Sequence, residues 1–129
     1  MASGGGGLVS TLDDYLKFTQ MLLNQGHYGG EKLLEPATVR WMLSEHTSPA
    51  QRLSPHYGMG LGFGIMLNPQ GRGRLGVPGE AGWSGIANTF FWLVPDKNLA
   101  YMVWSQFFPW GGSEFRHQVP TIVHTAVTQ

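Results

Sequence analysis

Gly82-Trp83-Ser84-Gly85-Ile86-Ala87-Asn88-Thr89-Phe90-Phe91-Trp92-Leu93-Val94 is the stretch that decides how this 129-residue chain folds. A turn that presents a nucleophilic serine needs Gly-x-Ser-x-Gly, with a strand before it and a helix after it. Here Ile86 stands where the second glycine belongs. The segment that follows, Thr89 to Val94, is aromatic and β-branched and reads as a strand. Ser84 is therefore placed in or beside a strand. Judged on these residues alone, the bland reading is a turn or strand serine with no chemistry.

Around this stretch the pattern is one of short strands and tight turns. Gly58, Gly60, Gly62 and Gly64 alternate with Tyr57, Met59, Leu61, Phe63 and Ile65. Period two predicts one strand over 57–65, with its large side chains on a single face. Asn68 to Gly73 reads as a hairpin-like turn, Arg74 to Val77 as a short strand ending at Pro78-Gly79, and about Ala87 to Val94 as the next strand. Pro95-Asp96-Lys97-Asn98 is a turn and Leu99 to Gln106 a further strand. Turns this short imply an antiparallel meander.

Helices flank the strands. Ser10 or Thr11 can cap the first, and Asp13 and Asp14 in its opening turn suit the helix dipole. Leu12, Tyr15, Leu16, Leu22 and Leu23 make an apolar stripe, and Gly26 suits a left-handed terminus. Tyr28 to Glu31 is a turn. A shorter helix starts at Pro36, after Glu35, and carries Val39, Trp41, Met42 and Leu43. Residues 44–56 read as a polar loop. Ser113 to Val127 reads as a final helix with Ser113 as cap candidate, an apolar face of Phe115, Val119, Ile122, Val123 and Val127, and a kink at Pro120. The fold class is α+β, an antiparallel sheet of about four strands flanked by helices, with a sheet that needs cover on both faces. Long aromatic strands with an open edge also favour self-association, so a homo-oligomer through exposed sheet is an expectation.

Composition narrows the function. Eight basic side chains balance eight acidic ones, and charged residues are only 12% of the chain. With no Lys/Arg-rich block, electrostatic binding of nucleic acid or an anionic membrane is disfavoured. No apolar run reaches the roughly 20 residues of a membrane span. The start, with glycines at 4–7, has neither the basic nor the apolar region of a secretory signal and reads as a linker or added segment over residues 1–7. The absence of cysteine removes disulfides and thiolate metal sites, and leaves the compartment open. His27, His46, His56, His117 and His124 form no metal-ligand spacing; no metal or cofactor is called for. Asp13, Asp14 and Glu80 form no acid–base pair by spacing. A minor alternative makes Ser84 a nucleophile activated by His46 or His56.

Five segments in register add a resemblance: Gly5 to Phe18, Leu33 to Val39, Tyr57 to Gly64, Gly82 to Gly85, and Phe91 to Pro95. Together they resemble the C-terminal portion of the serine β-lactamase and penicillin-binding-protein superfamily, closest to its class C and esterase branch. The resemblance covers nearly the whole chain, with residues 8–129 read as the incomplete C-terminal part of a β-lactamase-like domain. Enzymes of that family use Ser-x-x-Lys for the nucleophile and base, Tyr-x-Asn or a Ser-containing equivalent for a second proton-transfer group, and Lys-Thr-Gly on a strand lining the cleft. In the esterase branch the third motif often appears as Trp-x-Gly or His-x-Gly, and Trp83-Ser84-Gly85 matches the first form. The resemblance implies that Gly85 lets substrate approach the strand and that the Ile86 N–H is an oxyanion donor. Without the lysine, neutral esters are favoured over carboxylate-bearing substrates. No serine here has lysine three residues on, and no tyrosine has asparagine two residues on. The expectation is thus a serine-hydrolase segment, inactive alone, whose partner is the N-terminal part carrying Ser-x-x-Lys and whose substrate is a small ester or amide. The alternative is a non-catalytic binding or assembly module on the same scaffold.

Overall fold

A computed structural model describes residues 6–109 and 114–127. Helix α1 spans Leu12–Leu23. Its cap is Thr11, whose Oγ1 accepts the Asp14 N–H at 3.2 Å, a bond worth about 1 kcal/mol to the helix. The chain leaves α1 through Gln25 and Gly26, both at positive φ. It then makes a small hairpin, β1 (His27–Tyr28) with β2 (Glu31–Lys32), across Gly29 and Gly30. Both glycines have positive φ, as a two-residue turn of this hand requires. Helix α2, Pro36–Met42, begins on its proline as predicted.

The main sheet is a five-stranded antiparallel meander in sequence order, β3 (Tyr57–Met59), β4 (Gly64–Met66), β5 (Ala81–Ser84), β6 (Phe90–Val94) and β7 (Leu99–Val103). The α+β class and the antiparallel meander agree with the sequence; the strand boundaries differ. The period-two run 57–65 is a hairpin and not a single strand. The Gly60 N–H donates to Phe63 O at 2.8 Å and Gly62 sits at φ +86°, so the alternating glycines bend the chain back. Arg74 to Val77 forms no strand; its place in the sheet belongs to Ala81–Ser84, which pairs with both β4 and β6. Strand β6 starts at Phe90, because residues 85–89 make the turn. Strand β7 ends at Val103, short of Gln106.

Alternation along β6 builds two cores. Phe91 and Leu93 pack with Met21 and Leu22 of α1, Val39 of α2, and Phe63 and Ile65. Phe90 and Val94 pack with Tyr101 and with Val119 and Val123 of helix α3, Phe115–Val127. Each fully buried Leu or Val contributes about 1.5–3 kcal/mol relative to exposure. Tyr15 joins α1 to the sheet, edge-on to Phe91 at 5.0 Å. The predicted helix faces need correction: Leu12 and Leu16 are exposed while Met21 is buried, and Ile122 and Val127 are exposed. Helix α3 runs on through a buried Pro120. The Ser113 cap and the Phe115 side chain lie outside the described residues.

Candidate functional site

A cleft of about 710 Å³ opens on the α3 side of the sheet. Trp83 and Ser84 line it, with Tyr57, Phe90 and Trp92 as its aromatic floor. Three guanidinium groups sit over those rings: Arg72 over Tyr57 at 5.3 Å, Arg74 over Trp92 at 5.1 Å and Arg116 over Phe90 at 5.8 Å. Burial lowers the pKa of Arg116. His117 also lines the cleft, and among the described residues no carboxylate does. Such a wall offers flat apolar surface together with positive potential.

Gly82 permits the β5–β6 pairing on which the site stands. A side chain there would fall on the Phe91 carbonyl oxygen and within 2.8 Å of the Trp92 indole. Beyond Ser84 the chain turns. The Gly85 N–H donates to Thr89 O at 2.7 Å, and the Asn88 N–H donates to Gly85 O at 3.2 Å. Gly85 is also packed from within the turn, since a Cβ there would lie 2.6 Å from Thr89 Oγ1. Ile86 is 70% exposed, and its N–H meets no acceptor among the described residues. Of the four predicted site residues, Trp83 and Ser84 thus reach the cleft lining, and Gly85 and Ile86 occupy the turn at its end.

Under the cleft lies a buried charge network. Glu80 is fully buried and accepts from Arg74 Nη2 and, at 2.7 Å, from the Val77 N–H. Arg74 Nη1 also donates to Tyr101 Oη at 3.2 Å. His124 of α3 places Nε2 2.7 Å from Glu80 Oε1. Burial lowers the His124 pKa, against the pull of Glu80, and burial raises that of the Tyr101 hydroxyl. The network ties α3, β7 and the loop before β5 into one unit.

The structure brings neither His46 nor His56 into the cleft with Ser84. His46 Nε2 lies 2.7 Å from Trp41 O at the end of α2, and His56 packs against the turn at Gly71. Among the described residues no group of three His, Cys, Asp or Glu side chains could hold a metal ion. No described helix is long and apolar enough to cross a membrane. The sequence reading missed the arginine–aromatic pairs and Asn88. Gly-Arg-Gly-Arg at 71–74 was visible, but only the fold sets it over strands β3 and β6.

A family model described as Beta-lactamase matches residues 1–119. Two proteins of Mycobacterium tuberculosis, "Protein Rv1367c" of strain H37Rv and "Uncharacterized protein MT1414" of strain CDC 1551, are each 34% identical over 83% of this chain. The chain spans 29% of the length of these relatives. Among solved structures, EstCE1, "a hydrolase with promiscuous acyltransferase activity", is similar with a TM-score of 0.75 and 26% identity. The match covers 98% of this chain and 32% of EstCE1. Unliganded simvastatin synthase (LovD) from Aspergillus terreus shares the fold, with a TM-score of 0.75 and 24% identity over 95% of this chain and 35% of LovD.

Proposed function

The chain belongs to the Beta-lactamase family, and on that premise we propose that it forms the cleft wall and one oxyanion donor of a serine hydrolase acting on small esters or amides. The observation that carries the reading is the Ile86 N–H, held in a closed turn at the end of β5 with no acceptor of its own among the described residues. In this reading a serine of a separate segment adds its oxygen to the substrate carbonyl. A neighbouring base takes the serine proton, and negative charge develops on the carbonyl oxygen. The Ile86 N–H donates to that oxygen, where a preorganised donor is worth roughly 10²–10³ in rate. Collapse expels the alcohol or amine, which takes up the proton. Water then releases the acid from the acyl-enzyme and returns the serine hydroxyl.

Trp83, Tyr57, Phe90 and Trp92 suit the acyl or aryl part of the substrate. Exposed Ile86, Trp104, Phe107 and Phe108 support the presence of further polypeptide beside the turn. With Ser-x-x-Lys absent here, the nucleophile comes from that polypeptide. The test mixes the 129-residue chain with an N-terminal family segment bearing Ser-x-x-Lys and follows p-nitrophenyl acetate. Hydrolysis above that of either piece supports the reading. A folded complex without hydrolysis overturns it in favour of a binding or assembly module. A chain that instead self-associates and excludes the segment points to the homo-oligomer.

A further inference from the structure

We infer that Asn88 is the positioning residue of this site, locking the turn that aims the Ile86 N–H. The inference rests on the oxyanion role proposed above, but its structural half stands on geometry alone. The Ile86 nitrogen and the Gly85 carbonyl share one peptide plane. In a trans peptide the N–H and C=O point in opposite directions. Because the Asn88 N–H holds Gly85 O at 3.2 Å inside the turn, the Ile86 N–H is directed outward.

Asn88 closes this turn from φ +64°, a left-handed conformation that asparagine tolerates better than most residues. Its side chain then does what glycine at this position would not. Asn88 is fully buried, and its Nδ2 donates to Phe107 O at 2.8 Å and to Pro109 O at 3.3 Å. Ala87, between Ile86 and Asn88, is held by the same segment: its carbonyl accepts from the Phe107 N–H at 3.1 Å and from Ser105 Oγ at 2.9 Å. Four hydrogen bonds with residues 105–109, two donated by Asn88 Nδ2 and two accepted by Ala87 O, thus clamp the two residues that follow Ile86. None of these groups reaches the cleft lining. Asn88 acts through the backbone and touches no reacting atom.

Asn88→Gly tests this, because glycine keeps the left-handed conformation and deletes only the side-chain bonds. Ser105→Ala, which removes one peripheral bond, is the milder companion. In the 129-residue chain, ¹⁵N relaxation should show the order parameters of Ile86 and Ala87 falling from the rigid range near ~0.85 to below ~0.6 in Asn88→Gly, while Trp92 and Tyr101 stay rigid. Ser105→Ala should fall between. In the assembly with a Ser-x-x-Lys segment, kcat for p-nitrophenyl acetate should drop about 10- to 100-fold with KM within about threefold, as expected of a misplaced donor. Order parameters unchanged in Asn88→Gly overturn the clamp. A mobile turn with unchanged kcat overturns its catalytic role. A wild-type assembly with no esterase activity overturns the proposed function instead, and the relaxation result then still decides the clamp.

Discussion

Replacing Glu80 by glutamine probes the network that holds α3 to the sheet. The change conserves volume and leaves an oxygen to accept the Val77 N–H. What it removes is the charge opposite Arg74, in a pair whose side chains are 4% and 0% exposed. A guanidinium left alone at that depth loses its Coulombic partner and recovers little hydration. Removing one partner of such a pair costs about 3–5 kcal/mol. For a chain of this length each kcal/mol lowers Tm by about 3–5 °C, so E80Q should melt about 9–25 °C below wild type. Urea denaturation followed by tryptophan fluorescence gives the same quantity at fixed temperature. Arg74→Met on the E80Q background removes the orphaned charge, and the double variant should regain at least half of the loss. A single variant within about 1 kcal/mol of wild type, or a double variant no more stable than E80Q, would refute the argument that the buried charges depend on each other.

Further outcomes follow from the same structure. His124 has a folded pKa below its unfolded value because it is buried. The unfolded chain therefore binds the extra proton first as pH falls, and stability present above about pH 6.5 should decline below it. Tm measured from pH 7.5 to pH 5 should show that slope, and His124→Gln should flatten it. Gly82→Ala forces a methyl against the Phe91 carbonyl and the Trp92 ring; it should destabilise by at least about 1–3 kcal/mol in urea titration, and a neutral result would mean that β5 and β6 are less closely paired than described. A fluorophosphonate probe should leave Ser84 of the isolated chain unlabelled by peptide mass mapping, since neither His46 nor His56 shares its cleft and no hydrogen bond joins Ser84 to His117, the histidine that does; labelling at Ser84 would restore it as a nucleophile.

Local signals with one physical cause were legible in the sequence. Pro36 opened α2, Thr11 was one of two cap candidates for α1, and the aromatic, β-branched composition of Thr89 to Val94 marked β6. The run 57–65 misled because period two is also produced by two short strands joined by a glycine turn. Which reading applies depends on the Gly60–Phe63 bond, a feature of three-residue range that periodicity cannot register. Arg74 to Val77 has strand composition, yet Arg74 is drawn inward by Glu80, and the strand position passes to Ala81–Ser84. At the site, Trp83 to Ile86 could be picked out by motif. The arginines over Tyr57, Trp92 and Phe90 could not, because those pairs join residues 15 to 26 positions apart. Asn88 fell inside the stretch read as a strand from about Ala87 to Val94; only the return of residues 105–109 gives its side chain a task.

The central claim is that the Ile86 N–H stabilises charge in the transition state, and Ile86→Pro tests it most directly. Ile86 is the second residue of the turn closed by Asn88 and Gly85, a position where proline is favoured, and its side chain is exposed. The substitution therefore deletes the donor while leaving the turn intact. In the assembly that cleaves p-nitrophenyl acetate, the account predicts a kcat about 10²–10³ lower with KM little changed and the same Tm. A kcat within about threefold of wild type would contradict it.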